Sequence, residues 1–124
     1  MKLLFDSSCW LEYFARSPLC APYRERMESS DSIIMPTIIL HEVFRKLLRE
    51  AGEEAALRAV AYMQAATPVE LDGELALLSA RLGVEHGLPL ADSFIYASAR
   101  RHRASLITHD ARFKDLGGVE YWSK

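Results

Sequence analysis

The sequence predicts an α/β fold, with a central, mostly parallel sheet of about four or five strands covered by helices on both faces. Two observations carry this. Short unbroken apolar runs, Leu3-Leu4-Phe5, Ile33-Ile34-Met35 and Leu106-Ile107, suit strands buried on both faces. Helical patterns separate these runs, as parallel strands require crossover connections. The 124 residues fit one domain, 1–124, and half of them are hydrophobic, enough for a core.

The elements follow in order. Leu3–Phe5 is the first strand, and Ser7 or Ser8 is placed to cap a helix through Phe14. Ala21–Glu28 reads as a charged helix, broken by Ser29-Ser30-Asp31. Ser32–Met35 is a second strand. Pro36-Thr37 opens a long helix in which Ile39, Val43 and Leu47, and Leu40, Phe44 and Leu48, recur every four residues, with Gly52 marking its end. Glu53–Ala66 is an alanine-rich helix stopped by Thr67-Pro68, and Val69-Glu70-Leu71 is a short third strand. Asp72 caps a helix that runs to Glu85 and ends near Gly87. Leu90–Arg103 is a helix whose small residues, Ala91, Ser93, Ala97, Ser98 and Ala99, allow close packing. Ala104–Thr108 is a buried strand, Asp110–Leu116 a short helix, Gly117-Gly118 a turn and Val119–Trp122 a last strand.

Bulk properties narrow the function. The net charge of −2 argues against a broad nonspecific nucleic-acid coat, though not against a local basic groove. Cys9 and Cys20 form neither a metal pattern nor a disulfide framework, and free thiols suit a reducing cytosol. Met1–Phe5 is too short for a signal peptide, and no apolar run approaches a membrane span, so the expected location is cytoplasmic.

The informative residues are acidic: Asp6, Glu42, Asp92 and Asp110. In open parallel sheets, sites lie beyond the carboxyl ends of the strands. Asp6 follows the first strand, Asp110 lies just beyond Thr108, and Glu42 rides the helix after the second strand. Asp92 joins them if its helix begins at that edge and runs away from it. Each acid also has an ordinary reading. Asp6, Asp92 and Asp110 sit near helix starts, where aspartate caps, and Glu42 stands four residues before Lys46. Taken together, converging carboxylates demand a cation. A pair ~4 Å apart repels by roughly 4 kcal/mol at an effective dielectric near 20. Oxygen-only ligands favour Mg²⁺ or Mn²⁺, which activate water and stabilise a leaving oxygen.

Four segments of the chain are similar to those of PIN-domain nucleases. They are Leu4-Phe5-Asp6-Ser7-Ser8, then Ile39-Leu40-His41-Glu42-Val43, then Gly87-Leu88-Pro89-Leu90-Ala91-Asp92-Ser93-Phe94-Ile95-Tyr96-Ala97, and Leu106-Ile107-Thr108-His109-Asp110-Ala111-Arg112-Phe113. The resemblance spans essentially the whole chain. It implies an α/β/α sandwich and Mg²⁺- or Mn²⁺-dependent endoribonuclease activity. Small single-domain members are mostly toxins of VapBC-type toxin–antitoxin pairs, acting on tRNA or other structured RNA, often as homodimers, and blocked by a cognate antitoxin. By position, Asp6, Glu42, Asp92 and Asp110 would be metal ligands or water-positioning acids. Ser8 and Thr108 would be supporting hydroxyls that bond to the acids or to water. Asp6, Glu42 and Asp92 form the expected core of the set, and Asp110 tunes it. Asp115 reads as a surface residue.

Arg45, Lys46 and Arg49 share the Glu42 face of their helix and are candidate RNA-phosphate contacts. Arg100, Arg101 and Arg103 belong at the far end of the Asp92 helix and are expected to face solvent away from the site. His41-Glu42 invites a zinc-protease reading, but Arg45 stands where the second histidine belongs. Of the histidines, only His109 is expected near the site. Trp10, Tyr13 and Phe14 are expected to pack rather than to stack on bases. Two alternatives compete with the nuclease. One is an aspartate-nucleophile phosphatase built on Asp6, which would want an acid where Ser8 stands. The other is a non-catalytic RNA- or protein-binding module on the same fold.

Overall fold

The computed structural model describes residues 1–18, 21–29 and 32–123. Cys20 and the Ser30-Asp31 pair lie outside the described residues. The sheet contains β1 (Lys2–Phe5), β2 (Ser32–Pro36), β3 (Thr67–Val69), β4 (Ser105–Thr108) and β5 (Val119–Tyr121). Its spatial order is β3-β2-β1-β4-β5, and every pairing is parallel. Leu3, Leu4 and Phe5 are all fully buried in the central strand. Successive strand residues face opposite sides, so both faces of the sheet are covered.

The helices are α1 (Ser7–Phe14), α2 (Ala21–Met27), α3 (Thr37–Glu50), α4 (Glu53–Met63), α5 (Gly73–His86) and α6 (Leu90–His102). Helix α6 is buried without interruption from Ser93 to Ala99 and packs against β1, β2 and β4. Its small residues permit this, and one of them, Ser93, presses on Gly83 of α5. Helix α3 buries Ile39 and Val43 and packs against α1, α4 and α6. Trp10 is buried and stacks with Phe14, and the rings of Tyr13 and Tyr62 complete the cluster, so these aromatics are packing residues as expected.

Three local expectations are corrected. The third strand is Thr67–Val69 rather than Val69–Leu71. Pro68 sits inside it because β3 pairs only with β2, and an edge strand does not need the missing N–H. The segment after Asp110 is a single 3₁₀ turn, Ala111–Phe113, and not a helix to Leu116. Its backbone closes through i→i+3 bonds from Phe113, Lys114 and Leu116, with the Phe113 ring buried. Helix α4 ends at Met63, three residues short of the expected Ala66. Among the described residues no helix is long and apolar enough to cross a membrane.

The strand order reverses between β1 and β4. From β1 the chain steps outward to β2 and β3, then returns to add β4 and β5 on the other side. This reversal opens a crevice at the carboxyl ends of β1 and β4, the position that open α/β sheets offer to ligands.

Candidate active site

Asp6 stands in that crevice. The β1–β4 register ends with Phe5 opposite Ile107, and the Asp6 N–H then donates to the Ile107 carbonyl at 3.0 Å. The side chain is held at both oxygens: Oδ1 accepts from the Ser7 N–H at 2.8 Å, and Oδ2 accepts from the Thr108 hydroxyl at 2.7 Å. Asp6 is therefore itself the N-cap of α1, where Ser7 or Ser8 was expected. The helix starts one or two residues earlier than the sequence implied, so one carboxylate both caps the helix and anchors the site. Asp6 is only 6% exposed. Burial pushes its carboxyl up, the Thr108 and Ser7 hydrogen bonds pull it down, and the charges of Asp92 and Asp110 push it up again.

Thr108 is fully buried, and its hydroxyl also accepts the Asp110 N–H at 2.9 Å. This relay ties the loop after β4 to the end of β1. Asp110 caps the 3₁₀ turn, accepting the Arg112 N–H at 2.9 Å, so its capping role is real. Capping uses one oxygen and leaves the residue close enough to raise Asp6.

Asp92 does not cap α6. Pro89 precedes the helix, and Asp92 lies in its first turn. Because α6 leads into the parallel strand β4, it begins at the carboxyl edge and runs back across the sheet. That supplies the placement Asp92 needed, and its charge raises both Asp6 and Glu42. Glu42 lies in the second turn of α3. Its Oε1 is buried without a hydrogen-bond partner. Burial pushes the Glu42 carboxyl up, Asp6 adds to that, the Ser7 hydroxyl opposes it, and Asp92 adds again. Lys46 does not pair with Glu42; it meets Glu50 at 3.5 Å instead.

The structure thus brings Glu42, Asp92 and Asp110 within electrostatic reach of Asp6. The Ser8 hydroxyl is buried and bonds to none of the acids. Ser7 acts on the acids instead, through its N–H and its hydroxyl. Arg45, Lys46 and Arg49 are exposed on α3. Arg101 binds Asp72 at 3.0 Å and Glu74 at 3.4 Å, away from the acids, and Asp115 is on the surface. His109 bonds through Nδ1 to the Trp122 carbonyl.

Sequence reasoning missed Arg112. One of its guanidinium nitrogens lies 2.8 Å from Asp92 Oδ2 and 3.8 Å from Asp110 Oδ2. The available signal was a cation two residues after the fourth acid, in a segment already singled out.

The donor chemistry fits a hard divalent ion. All four groups offer carboxylate oxygen, two are pushed toward protonation by burial and mutual charge, and Glu42 Oε1 is an orphaned buried acceptor. As the side chains stand, no three Asp, Glu, His or Cys residues among those described are gathered closely enough to hold an ion. Arg112 occupies Asp92 instead.

Comparison with known proteins agrees with this architecture. The chain's fold is similar to that of a toxin–antitoxin complex from Klebsiella pneumoniae, with a TM-score of 0.86 and 22% identity over 98% of this chain and 99% of that one. VapBC2 from Rickettsia felis, bound to a promoter DNA fragment, aligns with a TM-score of 0.79 and 14% identity, over 99% of this chain and 100% of that one. VapC20 from Mycobacterium tuberculosis, a sarcin–ricin loop cleaving toxin, aligns with a TM-score of 0.75 and 18% identity, over 93% of this chain and 95% of that one. A search of curated protein sequences finds no significant match. The sequence pattern of the PIN domain matches residues 3–119, so the chain belongs to the PIN domain family.

Proposed function

We propose that this protein is a Mg²⁺- or Mn²⁺-dependent endoribonuclease and the toxin of a VapBC-type toxin–antitoxin pair. The observation that carries the reading is the mutual electrostatic influence of Asp6, Glu42, Asp92 and Asp110 near the carboxyl ends of β1 and β4, together with an unbonded, buried Glu42 oxygen. Those four residues would hold the ion. When bound, it would neutralise their repulsion, polarise the phosphodiester and acidify the attacking water. The protein's own contribution is orientation. Thr108 and Ser7 fix both Asp6 oxygens, so Asp6 needs no reorganisation. Glu42 Oε1, buried and without a hydrogen-bond partner, is available to the ion.

RNA would approach over α3. Arg45 and Arg49 are exposed and make no ion pair among the described residues, which suits them to phosphates of a tRNA or other structured RNA. Lys46 is partly engaged by Glu50. Neighbours described as toxin–antitoxin complexes support a cognate antitoxin as partner. A homodimer is supported by an apolar groove lined by Leu71, Val84 and Leu90, which are 50%, 87% and 84% exposed. Such a protein would meet its RNA in the cytoplasm.

The test is cleavage of a pool of cellular RNAs by the purified chain with Mg²⁺, Mn²⁺ or EDTA, alongside Asp6→Asn and Asp92→Asn. Activity that needs metal and vanishes in both variants is the expected result. Cleavage surviving in EDTA or in both variants rejects the metal-site mechanism. Metal binding without any cleavage favours a binding module.

A further inference from the structure

We propose that Arg112 is the internal counter-cation of the acid cluster, and that a divalent ion binds only by displacing it from Asp92. The proposal rests on the metal reading above and adds a competitor built into the chain.

Three observations lead to it. The guanidinium bonds to Asp92 at 2.8 Å and lies 3.8 Å from Asp110, so one cation already bridges two of the four acids. The Asp92 side chain is 14% exposed, whereas that of Arg112 is 61% exposed. The carboxylate is mostly buried, and the exposed guanidinium has solvent beside it to move into. The Arg112 backbone is pinned on either side of that swing: its N–H is bonded to Asp110, and the next residue, Phe113, is fully buried.

The chemistry makes the two states exclusive. The Asp92 oxygen that accepts from the guanidinium is one an ion would need, and two cations cannot share it without strong repulsion. While Arg112 is bound, its charge offsets those of Asp92 and Asp110 and one Asp92 oxygen is engaged. A site that is open only part of the time binds with an affinity lowered by the open fraction. Arg112 thereby sets a threshold of ion concentration below which the cluster stays neutralised and closed.

The experiment is Mn²⁺ binding to the full chain, purified metal-free and without RNA, by calorimetry and by the Mn²⁺ electron paramagnetic resonance signal. Removing the competitor in Arg112→Gln should tighten Mn²⁺ about five- to tenfold, as for a bridge closed about 80–90% of the time. Arg112→Lys keeps charge but not the planar fork and should fall between the two. Arg100→Gln, the same charge loss at the far end of α6, should match wild type. Metal-free Arg112→Gln should melt below wild type and show the larger rise on adding Mn²⁺. Equal or weaker Mn²⁺ binding by Arg112→Gln overturns the competitor role and leaves the metal site standing. Equal tightening in Arg100→Gln reduces the effect to net charge and also overturns it. Absence of Mn²⁺ binding in wild type and Arg112→Gln alike overturns the metal reading itself.

Discussion

Replacing Thr108 with valine should destabilise the metal-free protein by an amount that grows with pH. The substitution removes one buried hydroxyl that donates to Asp6 Oδ2 at 2.7 Å and accepts the Asp110 N–H at 2.9 Å. With Asp6 protonated, the loss is that of ordinary hydrogen bonds, about 1 kcal/mol. With Asp6 ionised, the lost bond is to a buried charge and costs about 2–3 kcal/mol. The sign follows from the direction of the shift. Burial raises the folded-state Asp6 carboxyl above its unfolded value. Its favourable contribution is therefore complete below the unfolded value and is lost as pH rises through the folded one. Thr108 opposes that loss, so without it the folded value climbs further and the loss deepens. Urea unfolding of wild type and Thr108→Val from about pH 4.5 to about pH 9 should show the gap widening from about 1 to about 2–3 kcal/mol. The corresponding melting difference at high pH is roughly 6–12 °C. A gap that stays constant over the range would mean that Thr108 does not stabilise an ionised Asp6, and the account of the site's anchor would fail.

Three other outcomes follow from the same geometry. Glu42→Gln removes a charge that Asp6 and Asp92 oppose. Its metal-free form should be more stable than wild type near neutral pH, by no more than about 1 kcal/mol given its partial exposure, with the gain fading as pH falls and the wild-type carboxyl protonates. It should also bind Mn²⁺ more weakly, and melting curves with and without Mn²⁺ check both; a lower metal-free melting point contradicts the repulsion. Gly83→Ala would place a Cβ 2.5 Å from Ser93 Oγ and 3.3 Å from Ser93 Cβ. Overpacking of about 1–3 kcal/mol should outweigh the roughly 1 kcal/mol helix preference for alanine, and adding Ser93→Ala should recover part of the loss in denaturant unfolding. Arg45→Gln and Arg49→Gln should weaken RNA binding and each lower the slope of log affinity against log salt by about 1, measured by titration at several salt concentrations; an unchanged slope excludes them as phosphate contacts.

Much of the frame was legible locally. Leu3–Phe5 and Leu106–Thr108 are buried strands because an unbroken apolar run satisfies a sheet covered on both faces. Gly87 ends α5 with a positive φ of 67°, as its place after a helical pattern implied. Pro68 misled the placement of β3, because a proline breaks a central strand but is tolerated at an edge, and edge position is not a local property. The length of the turn after Asp110 was misjudged for a related reason. Burial of Phe113 and the return to β5 set its end, and neither is visible in a window of a few residues.

The sequence by itself determined the α/β class and the order of the elements, and it singled out the four acids. Those depend on periodicity, turn residues and short segments in which neighbours along the chain are neighbours in space. Only the tertiary structure decided what each acid faces. Asp6 meets Thr108 across 102 positions, and Asp92 meets Arg112 across 20. The strand order that reverses at β1 brings them together. That Ser7 bonds to Asp6 depended on where α1 begins, and whether a guanidinium occupies Asp92 turned on a side chain reaching from the 3₁₀ turn to the first turn of α6. Contacts of this kind exist only once the sheet is assembled, because the groups that make them are distant in the chain until β1 and β4 pair.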